Sequence, residues 1–203
     1  YKVGWNLNSN GVAERWDNSY IEVGGVGWEG AGAGVAIANL DGDSRPDMVL
    51  MAYDNPSEAN SFRYKVGWNL NSNGVAERWD NGYVEVEGVG WEGQGAGIAI
   101  VNLDEHSRPE MILMAYDNPS EANSFRYKVG WNLNNNGVAN RWDNSYVEVG
   151  GVGWEGAGAG VAIANLDDLT RPEMVLMAYD NPSEANTFRY KVLRNLNDNG
   201  VAT

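Results

Sequence analysis

The feature that most constrains the fold is an internal repeat. The tripeptide Tyr-Lys-Val occurs four times at intervals of 63 residues, beginning at Tyr1, Tyr64, Tyr127 and Tyr190. The fourth copy reaches only Thr203, and it carries Leu193-Arg194 where the other copies carry Gly-Trp. Each copy is one supersecondary unit, which cannot bury its apolar surface alone, so the fold must be built by packing successive copies together.

Each repeat contains four predicted strands separated by turn-rich segments. In the first full copy these strands span residues 34–39, 47–53, 62–69 and 83–87. The first two are apolar at nearly every position, which indicates burial on both faces, whereas the last two alternate apolar and polar side chains. This gradient from buried to exposed is expected of a propeller blade, because its first strand lies near the axis and its fourth faces solvent.

We therefore predict an all-β fold, a β-propeller built from four-stranded blade repeats. The abundance of glycine, at 26 residues, argues against long helices. A stack of small β-sandwiches and a β-solenoid are the alternatives. The predicted units are an N-terminal partial blade over 1–27, blade repeats over 28–90 and 91–153, and a C-terminal partial blade over 154–203.

The number of repeats predicts a homodimer. Three blades per chain cannot close a ring, because propellers have at least about four blades. An open arrangement would leave unpaired strand edges, which soluble proteins avoid. Segments 1–8 and 190–197 are both copies of the third strand. We therefore expect two chains to form a six-bladed ring and to exchange strands where their termini meet.

The acidic composition limits the classes of partner. Asp and Glu total 28 against 14 Lys and Arg, which gives a formal net charge of −14. Nucleic acids and anionic membrane surfaces are bound through cationic groups, so neither is expected as a partner. No apolar run is long enough for membrane insertion. The chain has no cysteine, which leaves its redox compartment open. It begins at Tyr1 without methionine, which fits a processed mature protein or a trimmed chain, and we expect a secreted protein.

One segment carries a family resemblance. Residues 34–53, GVAIANLDGDSRPDMVLMAY, resemble the FG-GAP/VCBS type of repeat, in which a D-x-D-G-D-x-x-x-D loop joins two apolar strands. Residues 1–11, YKVGWNLNSNG, are similar to lectin-type and VCBS-type repeats. The family includes the propellers of integrin α-chains and the Psathyrella velutina-type propeller lectins. The resemblance covers the whole chain and implies a propeller, calcium in the loops between first and second strands, and glycan or protein ligands. GlcNAc-type sugars are the glycans that it implies.

The loop between the first and second strands of the first copy is a candidate calcium site. A hard cation takes about six to eight oxygen ligands, and a turn of this kind points alternate side chains inward. The predicted metal ligands, which surround Gly42, are Asn39, Asp41, Asp43 and Asp47.

The same loop changes in the later copies. The position of Asp43 is occupied by His106 in the second copy and by Leu169, which cannot bind a cation, in the third. Calcium is expected in the first copy. The loops of the second and third copies are either metal sites or degenerate loops that Asx-type turns hold in place. His106, the only histidine, is interpreted as a surface loop residue rather than a catalyst.

Two polar segments are identical in every copy. The Asp-Asn-Pro segments, DNPSEAN, span 54–60, 117–123 and 180–186, and the Trp-Glu-Gly segments span 28–30, 91–93 and 154–156. In an up-and-down blade both kinds of segment emerge at one face, opposite the calcium loop. The predicted ligand-binding residues are Trp28, Glu29, Asp54, Asn55, Glu58, Asn60, Trp91, Glu92, Asp117, Asn118, Glu121, Asn123, Trp154, Glu155, Asp180, Asn181, Glu184 and Asn186.

These residue types indicate a sugar site. A tryptophan ring packs against the C–H groups of a sugar, and carboxylate and amide groups exchange hydrogen bonds with its hydroxyls. Each such bond contributes only about 1 kcal/mol, so repeated weak sites gain from multivalency. The predicted function is a multivalent carbohydrate-binding protein, a lectin. A structural explanation stays open, because recent duplication alone keeps segments identical and Trp28 could pack between blades.

The main alternative is a calcium-stabilised protein-binding or adhesion module of the integrin kind, which would use the same face without sugar. An enzyme is not expected, because no Ser-His-Asp or Gly-x-Ser-x-Gly arrangement occurs. A catalytic site would also break the symmetry among the repeats. Trp5 and Trp16 are interpreted as packing residues.

Overall fold

The computed structural model describes residues 1–26, 32–53, 61–89, 95–104, 106–116, 124–152, 156–167, 170–180 and 187–202. Within these ranges the regular structure consists of β-strands in several antiparallel sheets, which confirms the predicted all-β class. The same ranges contain no helix with the length and apolar character that crossing a membrane requires.

The described strands form four sheets that follow one another along the chain. Sheet I contains β1 (Gly4–Leu7) and β2 (Ala13–Trp16). Sheet II contains β3 (Gly32–Ala38), β4 (Asp47–Tyr53), β5 (Ser61–Leu70), β6 (Ala76–Trp79) and β7 (Val84–Glu87). Sheet III contains β8 (Gly95–Val101), β9 (Glu110–Tyr116), β10 (Ser124–Leu133), β11 (Ala139–Trp142) and β12 (Val147–Gly150). Sheet IV contains β13 (Gly156–Ala164), β14 (Glu173–Asp180) and β15 (Phe188–Leu193).

The prediction of four strands per repeat is corrected to five in sheets II and III. The predicted second strand coincides with β4, and the first and third agree with β3 and β5 within two residues at each end. The outermost position is divided between β6 and β7, which pair with opposite halves of β5. The sequence Ala-Glu-Arg-Trp of β6 has no apolar alternation, which is why this strand was missed.

Burial on both faces explains the continuous apolar sequence of the second strands. In β9, Met111 and Leu113 belong to the core shared with sheet II, whereas Ile112 and Met114 belong to the core shared with sheet IV. All four side chains are fully buried. Each such side chain contributes about 1.5–3 kcal/mol on burial, so the stacking of successive sheets is a main source of stability.

The first strands of successive sheets approach one another closely, and glycine permits this approach. A Cβ atom at Gly32 would lie 2.7 Å from the backbone nitrogen of Ala96. A Cβ atom at Gly97 would lie 2.8 Å from the backbone nitrogen of Val161. The Gly-Ala-Gly sequence of these strands therefore reflects the contact between neighbouring sheets.

Three tyrosines, which lie in or just before a third strand, join one sheet to the next. Each hydroxyl donates to the carbonyl oxygen of a glycine in the turn that follows the next third strand. The three bonds are Tyr1 to Gly74 at 3.0 Å, Tyr64 to Gly137 at 3.0 Å and Tyr127 to Gly200 at 2.8 Å. Burial, together with the nearby charge of Asp143, raises the pKa of Tyr127 to about 12, so this hydroxyl stays protonated and able to donate.

Candidate functional site

The predicted ligand residues lie outside the described part of the chain. This holds for the Asp-Asn-Pro segments and for the predicted tryptophans and glutamates of the Trp-Glu-Gly segments. The exception is Asp180, which is described only as the last residue of β14. The structure does describe the strands from which these segments extend.

The strands that flank the two segments reach the same end of each sheet. In sheet II, Tyr53 at the end of β4 pairs with Gly32 and with Phe62. Phe62 pairs in turn with Val86 near the end of β7. Sheet III has the same registers. Both segments are therefore attached at one end of the sheet, and the calcium loop is attached at the other.

An aromatic pair lies where the Asp-Asn-Pro segment leaves each sheet. The ring centroids of Tyr53 and Phe62 are 4.5 Å apart, with the planes inclined at 47°. Tyr116 and Phe125 repeat this arrangement at 4.5 Å and 50°. Such pairs contribute about 0.5–1.5 kcal/mol beyond simple burial. All four rings are fully buried, so they hold the strand ends together and present no surface to a ligand.

An arginine links this end of the sheet to the chain that leads into the first strand. The Nη1 atom of Arg63 donates to the carbonyl oxygen of Val26 at 3.2 Å. Its guanidinium also pairs with Glu85 at 2.9 Å and lies 4.3 Å from the ring centroid of Tyr83. Arg126 makes the equivalent contacts in sheet III. The base of the predicted ligand face is therefore the same in both sheets.

A small apolar pocket opens at Val26, the residue whose carbonyl oxygen accepts the hydrogen bond from Arg63. It has a volume of about 190 Å³, and its lining includes Val23, Val26, Leu50 and Ala52. Pockets for whole ligands are usually about 300–1,000 Å³. This pocket can therefore hold a small apolar substituent but not a complete sugar.

The predicted calcium loop is described, and its polar side chains form Asx-type turns. Asn39 Oδ1 accepts a hydrogen bond from the N–H of Gly42 at 2.7 Å. Asp41 Oδ1 accepts from the N–H of Asp43 at 3.0 Å, and Asp43 Oδ1 accepts from that of Arg45 at 2.6 Å. In the described part of the chain, no group of three or more His, Asp and Glu side chains is arranged to hold a metal ion. Calcium at this loop stays a prediction.

Asp47, the fourth predicted metal ligand, has a structural role. It is fully buried, and its two carboxylate oxygens accept hydrogen bonds from the N–H groups of Leu40 at 2.8 Å and Asn69 at 2.9 Å. Asn69 has a φ of 57°, in the left-handed region. The carboxylate thus joins the loop after β3 to the end of β5. The equivalent residues Glu110 and Glu173 make the same pair of bonds.

The pKa of Glu110 is raised from its ordinary value. Burial is the main cause, and it is opposed by the hydrogen bonds that the carboxyl accepts from Leu103 and Asn132.

A signal in the sequence could have indicated the structural role of Asp47 and its equivalents. A carboxylate recurs here in every copy, although the position of Asp43 changes to histidine and then to leucine.

A second cleft was missed by the sequence analysis. It lies between the outer strands of sheet III and the turn after β15, and it has a volume of about 500 Å³. Its lining includes Trp131, Trp142, Asp143, Asn144 and Asn199. The indole Nε1 of Trp131 donates to Asp143 Oδ1 at 2.7 Å. Tryptophan, amide and carboxylate groups meet here, so the outer cleft is a further candidate site for a polar ligand. The recurring tryptophans were the available signal, but they were interpreted as packing residues.

The comparisons with known proteins assign no family to the chain. No protein-family model matches it, and no curated protein matches it.

Proposed function

We propose that this protein is a multivalent carbohydrate-binding protein, a lectin. Its sites are formed by the Asp-Asn-Pro and Trp-Glu-Gly segments at one end of each sheet. One observation carries the proposal: the strands that flank these identical segments have the same registers in sheets II and III. Identical aromatic, amide and carboxylate groups are therefore attached at equivalent places, and several weak sites on one particle supply avidity.

Titration with a panel of sugars tests the proposal, with binding measured by tryptophan fluorescence and by calorimetry. We expect one class of sugar to bind, and the resemblance implies GlcNAc-type ligands. The triple variant Asn55→Ala, Asn118→Ala, Asn181→Ala should lose this binding and keep its circular dichroism spectrum. The amide groups that would hydrogen-bond the sugar hydroxyls are then absent.

Asn144→Ala in the outer cleft is the matched control, because it removes the same amide from a different place. It is expected to bind sugar normally. Loss of binding in this variant, with binding kept in the triple variant, would move the site to the outer cleft. A folded sample that binds no sugar in the panel, with calcium present, would contradict the proposal.

A second candidate is a protein-binding or adhesion module, and the net charge of −14 favours it through attraction to a cationic partner. Such binding should be insensitive to competing monosaccharides and should weaken as salt concentration rises. A pull-down against a basic protein partner, repeated with sugar and with added salt, distinguishes the two functions.

We also propose that the sheets are blades of a propeller and that two copies close a six-bladed ring. Sheet IV leaves Phe188 and Tyr190 66% and 67% exposed, while the equivalent Phe125 and Tyr127 of sheet III are fully buried. On the opposite side, sheet II leaves Val35 and Ile37 55% and 58% exposed. The same two kinds of face already pack together inside the chain, so a second copy fits both.

Light scattering on the purified protein tests the ring. The expected mass is twice that of one chain, which is 22.2 kDa. A stable folded monomer would contradict this part of the proposal.

A further inference from the structure

The geometry points to one specific way in which two copies join. We infer that the hairpin β1–β2 of one copy pairs with β14 of the other copy and takes the place of β15. The inference rests on the proposed ring, and it identifies the interaction surface as the edge of β14. The partner is a second copy of this chain.

Two segments of the chain are suited to the same place in a sheet. In sheets II and III the third strand lies between the second strand and the two outer strands. β15 pairs with the second strand β14, but no described strand pairs with its outer edge. β1 pairs with the outer strand β2, but no described strand occupies the position of its second strand. Adding β1–β2 to β13 and β14 therefore gives a complete sheet.

The hairpin is already built as the outer half of a complete sheet. The indole Nε1 of Trp5 donates to Asp17 Oδ1 at 2.7 Å, as Trp68 does to Asp80 at 2.8 Å. The backbone groups of Tyr1 and Ile21 exchange hydrogen bonds of 3.1 and 2.9 Å. Among the described strands, none pairs with the other edge of the hairpin, and the addition of a strand to such an edge is a general mode of association.

β15 is poorly suited to pair with an outer strand. In sheet II the tryptophan of the outer strand covers a glycine, and a Cβ atom at Gly67 would lie 2.7 Å from the ring of Trp79. The equivalent position in β15 is Leu193, whose side chain would occupy the space that the tryptophan needs. The next residue is Arg194, so the tryptophan that binds the outer-strand aspartate is also missing. Sterics therefore disfavour the other mode of exchange, in which β2 of a second copy pairs with β15.

The register of the exchange follows from the complete sheets. Val175 pairs with Val192 of β15, and Val3 is the equivalent of Val192 in the hairpin. The carbonyl of Val3 accepts from the N–H of Asp17, so the backbone groups of Val3 face the outer strand. Val3 and Val175 would then form a non-hydrogen-bonded pair, with Cα atoms about 4.5 Å apart. This separation is within the range that a disulfide spans.

Engineered cysteine pairs test the exchange, because the chain has no cysteine of its own. Val3→Cys with Val175→Cys should give a disulfide-linked dimer on a non-reducing gel after mild oxidation. Arg15→Cys with Arg194→Cys probes the pairing of β2 with β15, and it should stay unlinked. Val175→Cys with Val192→Cys should form a disulfide within one chain, keep β15 in place and lower the dimeric fraction in light scattering.

The outcomes separate this inference from the two proposals before it. Linked dimers from Arg15→Cys with Arg194→Cys, and none from Val3→Cys with Val175→Cys, would overturn the exchange and leave the ring intact. A dimeric fraction unchanged by the complete Val175–Val192 disulfide would also overturn it. A folded wild-type monomer would overturn the exchange and the ring together. Sugar titration reports on the lectin proposal independently of all three results.

Discussion

Asp47 has no exposed surface, and both of its carboxylate oxygens accept backbone hydrogen bonds. Asp47→Ala leaves the buried N–H of Leu40 and the half-buried N–H of Asn69 without this partner, at about 1–3 kcal/mol each. We expect the free energy of unfolding to fall by about 2–4 kcal/mol, measured by urea denaturation. Asp43→Ala, at an exposed position in the same loop, is the control and should change stability by less than about 0.5 kcal/mol without calcium. Equal effects of the two substitutions would contradict the structural role of Asp47.

The calcium prediction also belongs to individual residues. Calcium is expected to raise the melting temperature of the wild-type protein, because a ligand that binds only the folded state stabilises it by about 2.7 kcal/mol at 100 times its dissociation constant. Asp41→Asn with Asp43→Asn should remove this shift, which differential scanning fluorimetry measures with calcium and with EDTA. Asp104→Asn, in the loop of the second copy, is the control. A shift that survives the double substitution would place the cation elsewhere.

The hydrogen bond from Tyr127 to Gly200 gives a prediction in stability and in pH. Tyr127→Phe should lower the free energy of unfolding by about 0.5–1.5 kcal/mol at neutral pH. The pKa of Tyr127 is raised from 10.0 to about 12, so between these values the unfolded chain loses the proton first and wild-type stability falls. Urea denaturation at neutral pH and above pH 10 should show a smaller alkaline loss in Tyr127→Phe. Tyr20→Phe, whose ring is 67% exposed, should behave like the wild type.

At the scale of elements, the short outer strands β6 and β11 each place a tryptophan over a glycine of the neighbouring strand. A Cβ atom at Gly130 would lie 2.7 Å from the ring of Trp142. Gly130→Ala should therefore displace this tryptophan and destabilise the protein by about 1–3 kcal/mol, with β11 affected most. Hydrogen exchange of the β11 amides and the emission wavelength of tryptophan measure the effect. Gly82→Ala is the control, because a Cβ atom there meets nothing within 4 Å. Unchanged protection of β11 in Gly130→Ala would contradict the contact.

Elements also differ in how far the sequence predicts them. β4 coincides with its predicted bounds, because it is buried on both faces and its sequence is therefore an almost continuous apolar run. Such a run is visible in the sequence itself. β6 was missed, because its four residues are held by hydrogen bonds to β5 and by one tryptophan that covers a glycine of that strand. Neither contact leaves an alternating pattern in the sequence.

At the scale of the whole molecule, the faces at the two ends of the sheet stack decide the assembly. Ile37 is 58% exposed in the single chain, and we expect it to be buried by sheet IV of a second copy. Ile37→Lys should give a folded monomer, because burying an unpaired charge at the interface is strongly unfavourable. Light scattering gives the mass, and circular dichroism checks the fold. Ser145→Lys, at an exposed position between β11 and β12, should leave the dimer unchanged. A dimer that persists in Ile37→Lys would show that this face is not the interface.

The candidate sites divide in the same way between sequence and structure. The sequence predicted which polar segments recur, and the structure attaches both kinds of segment at one end of the sheets. The outer cleft was not predicted, because its lining comes from two separate parts of the chain, one that includes Trp131 and Asn144 and one that includes Asn199. Only the packing of sheet III against the turn after β15 brings these two parts together. The structural role of Asp47 was not predicted for a related reason. A buried carboxylate that accepts two backbone hydrogen bonds and a carboxylate that binds a cation use the same residue type in the same loop.

What the sequence by itself determined is the repeat, the all-β class and most strand positions. These follow from local periodicity and composition, since apolar runs and turn residues act within a few positions of one another. What only the tertiary structure decided is the division of the outer strand and the tyrosine bond between sheets. It also decided that Leu193, unlike the glycines at the equivalent positions, leaves no space for the tryptophan of an outer strand. Each depends on atoms about one repeat apart or in neighbouring strands, whose distance is set by how the sheets pack.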